Sequence, residues 1–249
     1  MNKATSLTGL LVVWVLFTCP GCECQSRGPA PVEDTAGREG SRLEKPVLDD
    51  GEQLTDDQRL QTTRLIALVK RYYPTWDPAH ESRDDFYTRW YDAPEIQRFN
   101  ELIQRHVEND HAWQAFLNDV QGDLGHDVRV RDGAPPMFYI PSFQIVIHGK
   151  HPRGTITMVF RLSMLAPLYD YYEHIRSVRG RWLESNLIPS RETANIARQV
   201  RGLIADHYPA YRELPPQIGS VRVRNVKTEN KLLNQASLAD ALFEDTRTW

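Results

Sequence analysis

Hydrophobic residues follow a helical period through the first half of the chain beyond residue 54. Between Thr55 and Pro74, apolar side chains recur every three or four positions, which predicts an amphipathic helix with Thr55 as its N-cap. Three further segments show the same spacing, and they begin near Ser82, Ala93 and Asn109. We therefore predict four helices in this half, the last ending near residue 122.

The pattern then changes to short runs that are rich in β-branched and aromatic residues. Strands are predicted at 137–140 and 143–147, followed by a turn cluster at 148–154 and a second strand at 155–162. These segments together predict a hairpin. Residues 168–174 are expected to form a third, more polar strand.

The remainder of the chain combines both periods. A helix is predicted from a cap at 190–192 to Tyr208, where Pro209 stops it, and a short helix is predicted at 237–243. Residues 221–226 alternate like a half-buried strand. The expected fold is α+β, with N-terminal helices followed by an antiparallel sheet and one helix packed on it.

The N-terminal segment has a different pattern from the rest of the chain. Lys3 precedes a continuous apolar run at 7–17, which is too short for a membrane-spanning helix of about 20 residues. A basic start, a short apolar run and a polar continuation are typical of a signal peptide. We therefore expect residues 1–24 to direct export and to lie outside the fold.

All three cysteines of the chain lie at the end of this apolar run, at 19, 22 and 24. A bacterial lipoprotein has its cysteine just after the apolar run, usually with a small residue before it. Cys19 has the apolar approach, but Thr18 is a poor residue before the cysteine. Cys22 follows the small residue Gly21, but the proline before that glycine is unusual. Either Cys19 or Cys22 is a candidate for lipidation. Ordinary cleavage and secretion, or a metal or redox role for the cysteine pair, are the alternatives.

Composition divides the rest of the chain. Residues 25–53 are rich in Pro, Gly, Ser and acidic residues with few aliphatic ones, so they cannot bury enough apolar surface to offset the entropy of ordering. We interpret them as a flexible tether. Residues 54–249 are long enough to form a single domain with its own core, and they contain no cysteine for a disulfide.

Charge gives a limited indication of function. The chain has 30 basic and 33 acidic residues, a net charge of −3, which provides no general attraction to nucleic acid. We therefore expect no nucleic-acid partner. The membrane is expected to be reached through the N-terminal lipid anchor.

The densest mixture of aromatic and ionisable side chains lies at 169–174. On a strand, Asp170, Tyr172 and His174 would share one face. Tyr169, Tyr171 and Glu173 would share the other. Such a set could perform acid–base chemistry, form a partner-binding surface, or be an ordinary sheet face. Two arginines on one side of the predicted strand at 221–226 could bind an acidic partner or face solvent. The candidate binding surface comprises Tyr169, Asp170, Tyr171, Tyr172, His174, Arg222 and Arg224.

Signatures of catalysis or of metal binding are weak. His106 and Asp110 are four residues apart, but a helix break is predicted between them, and His148 and His151 in the predicted turn provide two ligands where a metal site needs three or four. The sequence has no nucleophile elbow, phosphate-binding loop or dinucleotide fingerprint. We expect no catalytic residue, no metal and no cofactor.

The C-terminal part resembles the end of certain bacterial α+β proteins, some of which are similar to immunity-type proteins that neutralise toxins. The segments that carry the resemblance are 214–218, 221–226 and 236–243. It implies a toxin as protein partner, which the export segment would place in the envelope. We therefore expect an exported, lipid-anchored cell-envelope protein, periplasmic or on the outer membrane, that binds a protein partner without being an enzyme. An envelope hydrolase with an unrecognised site and an exported lipoprotein toxin are the alternatives.

Overall fold

A computed structural model describes residues 54–108, 111–133 and 140–243. The first part of this region is helical, with α1 (Asp56–Tyr72), α2 (Arg83–Arg89), α3 (Pro94–Glu108) and α4 (His111–Leu124). Thr55 caps α1 as predicted: its side chain accepts a hydrogen bond from the Gln58 backbone N–H, and the Gln58 side chain accepts one from the Thr55 backbone. The predicted signal peptide, the tether, both candidate lipidation sites and residues 109–110 and 137–139 lie outside the described residues.

A mainly antiparallel sheet follows the helices, with strands β1 (Arg129–Asp132), β2 (Ser142–His151), β3 (Gly154–Ser163), β4 (Leu168–Ser177), β5 (Trp182–Asn186) and β6 (Arg212–Glu213). Strands β1 to β5 lie in sequential order, and β6 pairs in parallel with the start of β4. The later helices are α5 (Ala194–His207), α6 (Pro216–Gly219) and α7 (Leu238–Phe243). The predicted α+β fold is therefore confirmed.

One face of the sheet, here called the helix-covered face, forms the main core. Phe160 of β3 and Tyr171 of β4 belong to one buried cluster with residues of the helices. Trp113 of α4 stacks on Phe143 of β2, with ring centroids 4.7 Å apart. Burial of these large aromatic groups supplies the main driving force for packing the helices on the sheet.

The opposite face, here called the second face, changes in character along the strands. Val146, Val159 and Tyr172 form a small separate buried cluster on it. On one side of this cluster, Phe243 of α7 lies against the buried Arg161, with the guanidinium carbon 5.2 Å from the ring centroid. On the other side, towards the β2–β3 turn, the second face becomes polar and more exposed.

The predicted turn at 148–154 is wrong, because the strand continues through most of it. Pairing between β2 and β3 runs without interruption from Ser142↔Ser163 to His151↔Gly154, so only two residues form the turn. Gly154 makes this possible: its φ is +150°, and a Cβ there would lie 2.0 Å from the carbonyl oxygen of Arg176 on β4. His148, Lys150 and His151 are therefore strand residues and not part of a solvated turn.

The predicted strand at 221–226 is also wrong. This segment makes only two isolated bridges, Thr75↔Val226 and Arg222↔Ser237. Its alternation has another cause: Val223 and Val226 both reach the core, while Asn225 between them has a φ of 61°, which interrupts extended backbone.

Sequence reasoning misplaced one helix start and missed three strands. Helix α5 begins after Thr193, three residues later than the predicted cap at Ser190. The missed strands β1, β5 and β6 are short, and each is paired with a longer strand of the sheet. All three are too short to establish a hydrophobic period, and β6 also pairs with a strand that is distant in sequence.

Candidate functional site

The tyrosines of the candidate binding surface are buried. Tyr169 and Tyr171 lie on the helix-covered face as part of the main core, whereas Tyr172 lies on the second face. Their exposed fractions are 8%, 3% and 4% respectively. These side chains therefore do not present an exposed surface to a partner in this structure.

Asp170 is the partner of a buried arginine. Its carboxylate receives two hydrogen bonds from Arg161, from Nε to Oδ1 at 2.9 Å and from Nη2 to Oδ2 at 2.5 Å. The Arg161 side chain is fully buried and lies 4.9 Å from the ring centroid of Tyr172. Because the buried guanidinium must be neutralised, the structure gives Asp170 an internal role.

His174 lies on the same face as Asp170 and Tyr172, as the strand period predicted. It is half-buried, and its ring packs edge-on against Tyr172 with centroids 4.9 Å apart. Its cross-strand neighbours are Thr157 of β3 and Ser185 of β5. The predicted grouping on one face is correct, but its members differ sharply in exposure.

Arg222 and Arg224 do not join this group. They lie in the segment between α6 and α7, where both side chains are exposed on either side of the buried Val223. The structure thus separates them from the β4 residues of the candidate binding surface.

Glu173 is fully buried and forms a hydrogen-bond network. Its Oε2 accepts from the Tyr171 hydroxyl at 2.5 Å and the Thr193 hydroxyl at 2.6 Å. Its Oε1 accepts from the Asn186 side chain at 3.2 Å and the Ser190 backbone N–H at 3.1 Å. Burial, and then the hydrogen bond to Glu173, raise the pKa of Tyr171 well above its usual range. With every oxygen occupied by donors from β4, β5 and the segment before α5, this network holds that segment on the sheet.

A cluster of basic side chains occupies the polar end of the second face. Cross-strand pairing places Arg129 beside His148, His148 beside Thr157, and Thr157 beside His174. The next positions along β1, β2 and β4 on the same face add three more basic residues. We call this cluster the basic face, and its members are Arg129, Arg131, His148, Lys150, His174 and Arg176.

The electrostatics of His148 show how closely these groups lie. Its pKa is lowered first by burial and then by the positive charges of Arg131, Arg129 and Arg176. The ring remains anchored by a 3.0 Å hydrogen-bond contact between Nδ1 and the Thr157 hydroxyl. Strands β1, β2 and β4 therefore bring like charges together on one surface, which disfavours a further positive charge there.

The edge of the basic face forms an open cavity of about 420 Å³. Residues of the α4–β1 connection, β1, β2 and β3 line it, and Asp127 is the carboxylate among them. Basic groups from β1 and β2 therefore border a concave, accessible space.

Sequence reasoning missed most of the basic face. Only His174 belonged to the predicted surface, although His148 had been considered as a metal ligand. The signal that could have found the others is a repeated spacing: two basic residues at positions i and i+2 occur at 129 and 131, at 148 and 150, and at 174 and 176. Each pair lies on one side of a strand, but only the register brings the three pairs to the same face.

The histidines considered as metal ligands do not converge. His148 and His151 are three residues apart on β2, which places them on opposite faces of the sheet. His106 lies on α3 with its pKa lowered by burial and by Arg105, while Asp110 is outside the described residues. Within residues 54–108, 111–133 and 140–243, no group of three or more His, Cys, Asp or Glu side chains is arranged to hold a metal ion.

Comparison with known proteins provides no relative. No protein-family model matches this chain, and neither a curated protein nor a solved structure is significantly similar to it. Among the described residues, no helix has both the length and the apolar character needed to cross a membrane.

Proposed function

We propose that this chain is an exported, lipid-anchored protein of the cell envelope that binds an acidic protein partner through its basic face. The apolar run before Cys19 and Cys22 supports export and anchoring. The composition of residues 25–53 supports a tether that would let the domain reach a partner away from the membrane. Neutralisation of a toxin, as the resemblance to immunity-type proteins implies, is one form that this binding would take.

The basic face is the observation that carries the proposal. Arg129, Arg131 and Lys150 are exposed, and none of the ion pairs between described residues involves them. Holding like charges close together costs free energy in the isolated domain. An acidic surface on a partner would relieve this repulsion and would contribute specificity.

The charge balance of the whole chain favours a protein over an extended polyanion. With a net charge of −3, the molecule has little long-range attraction for nucleic acid, and its basic groups act at short range. Arginine is enriched in protein–protein interfaces because it combines charge, hydrogen bonding and stacking. The basic face therefore suits a partner with a local acidic patch.

Charge reversal provides the test. We would crosslink the full-length protein in membranes of its host, capture it, and compare the parent with Arg129→Glu/Arg131→Glu. The matched control is Arg59→Glu/Arg64→Glu, which reverses two exposed arginines on α1. We expect one stoichiometric protein partner with the parent and the control, and at least a tenfold lower yield with the β1 variant. Equal yields from all three proteins would refute binding through the basic face, and metal-dependent hydrolysis without any partner would refute the binding role.

Lipid anchoring has a separate test. Cells supplied with a radioactive fatty acid should label the parent protein, and Cys19→Ala or Cys22→Ala should abolish the label, because lipidation requires one defined cysteine. A Cys24→Ala variant is the control and should retain the label. Absence of label from the parent would disprove the anchor, while undiminished label in both single variants would exclude each cysteine as the sole site.

A further inference from the structure

Strand β5 is a sheet edge that no described strand covers. It lies at the end of the strand order, paired on one side with β4 through Glu173↔Asn186 and His174↔Ser185. The neighbouring short strand β6 pairs only with the beginning of β4, at Leu168 and Tyr169. Since no strand within 54–108, 111–133 and 140–243 pairs with the outer side of β5, this side can serve as a template for another extended segment.

The two edges of the sheet differ in their protection. The opposite edge strand, β1, has the sequence Arg-Val-Arg-Asp, and charged side chains of this kind discourage edge-to-edge pairing. The ends of β5 instead carry exposed apolar side chains: Leu183 is 42% exposed, Leu187 38% and Ile188 71%. Val178, in the turn before β5, is 89% exposed. An edge flanked by such residues can bind an extended segment through both backbone and side chains.

The charge around β5 is predominantly positive. Arg176, Arg179 and Arg181 are exposed on the β4–β5 hairpin. The acidic residue of β5, Glu184, is paired with Arg153 from the neighbouring turn at 2.6 Å. An incoming segment with carboxylates would therefore find complementary charge, whereas a basic one would be repelled.

The basic face leads directly to this edge. Its central row runs across the sheet from Arg129 through His148, Thr157 and His174 to Ser185 of β5. A strand added beside β5 would continue this row, since alternate side chains of a strand point to the same face. Acidic side chains at every second position would then lie on the same side of the sheet as the basic face, one strand beyond β4.

We propose that β5 binds an extended, acidic segment of the partner by β-strand addition. This inference rests on the proposed protein-binding role and specifies how the partner binds. The partner segment alternates acidic residues, which lie on the same side of the sheet as His174 and Arg176, with other residues on the opposite side. Its backbone hydrogen bonds to the outer edge of β5 supply affinity, and its charge supplies specificity.

Synthetic peptides test this mode without requiring the native partner. The probe is a biotinylated eight-residue peptide of alternating Glu and Val, and the control peptide has Lys in place of Glu. With the full-length protein, we expect the Glu peptide to bind at least tenfold more tightly, and hydrogen exchange to slow at the backbone amides of 182–186. Failure of both peptides to bind at millimolar concentration, or protection confined to another element, would overturn the proposal.

Backbone methylation separates strand pairing from simple charge attraction. Two further peptides carry N-methyl groups on all Glu or on all Val residues, which removes alternate donors but keeps the side chains. Only alternate N–H groups of an added strand face β5. Strand addition therefore predicts that one methylated peptide binds at least tenfold more weakly than the parent peptide, while the other keeps more of the parent's affinity. Equal affinity of both methylated peptides and the parent peptide would refute strand addition.

A protein variant relates the edge to the native partner. Ile188→Asp should reduce peptide binding and partner capture at least tenfold, while Leu60→Asp, at an exposed leucine of α1, should change neither. If the host partner is still captured by the Ile188→Asp protein, the edge proposal fails and the binding role stands. If the peptides protect β5 but no host partner is captured, the binding role fails instead. Protection of 182–186 that depends on protein concentration alone would assign the edge to a second copy of the chain and refute an acidic segment.

Discussion

Three of the charged groups that are almost fully buried are each compensated in a different way. Arg161 is neutralised by the carboxylate of Asp170, and Glu173 receives only neutral hydrogen-bond donors. Lys227 lies with its Nζ 3.7 Å from the ring centroid of Trp90 and donates to the carbonyl of Thr228 at 3.2 Å. Each arrangement offsets the cost of removing a charge from water. The contacts of Arg161 and Glu173 connect neighbouring strands of the sheet, whereas that of Lys227 connects segments far apart in the sequence.

The network around Glu173 predicts a large effect from a change of one atom. In Glu173→Gln, an amide NH₂ replaces one carboxylate oxygen and meets hydrogen-bond donors, so we expect the free energy of unfolding to fall by about 1–3 kcal/mol. Urea denaturation monitored by circular dichroism measures this change. Glu192→Gln makes the same replacement at an exposed position nearby and should stay within about 0.5 kcal/mol of the parent. Equal stability of the two variants would show that the network contributes little.

At the scale of elements, replacing two glycines by alanine is expected to change the free energy of unfolding in opposite directions. Gly154→Ala should lower the free energy of unfolding by about 1–3 kcal/mol, because its positive φ and the nearby Arg176 carbonyl leave no room for a Cβ. Gly122→Ala, in α4 with no atom within 4 Å of the new Cβ, should raise it by about 0.5–1 kcal/mol through helix propensity. Thermal unfolding of both variants checks the pair. A Gly154→Ala protein as stable as the parent would contradict the tight β2–β3 connection.

At the scale of the whole molecule, the environment of His148 on the basic face predicts that the stability of the fold depends on pH. Because the pKa of His148 in the folded state is lowered, the unfolded chain binds more protons as the pH falls below about 6.5, the ordinary histidine pKa. Stability is therefore lost on acidification through this range and is retained above it. His148→Gln keeps a polar side chain beside Thr157 but removes this titration, so we expect its unfolding midpoint to fall less between pH 7.5 and 5.

The control for this prediction is a histidine in a different environment. His111→Gln replaces an exposed histidine at the start of α4 and should retain the pH dependence of the parent. Urea midpoints of the three proteins at half-unit steps of pH make the comparison. Identical profiles for the parent and His148→Gln would show that burial and the neighbouring arginines do not lower the pKa of His148.

How far the sequence predicted the fold depends on the range of the interactions involved. The caps of α1 and α2, the amphipathic helices and the long strands were predictable because they depend on neighbours within a few residues. The edge strand β5 was not predictable, because its pairing to β4 depends on a bulged register and on the buried Glu173 network. At 221–226 the sequence predicted a strand that does not form. The alternating burial of this segment comes from contacts with the core and not from hydrogen-bonded pairing with another strand.

The sequence by itself determined the α+β order, the periods of the main elements and the placement of Asp170, Tyr172 and His174 on one side of a strand. Only the tertiary structure decided that Tyr172 is buried, that Asp170 neutralises Arg161, and that His174 belongs to a basic face. The physical reason is that periodicity records which side chains point together, whereas exposure and charge environment depend on the layers and strands that pack around them.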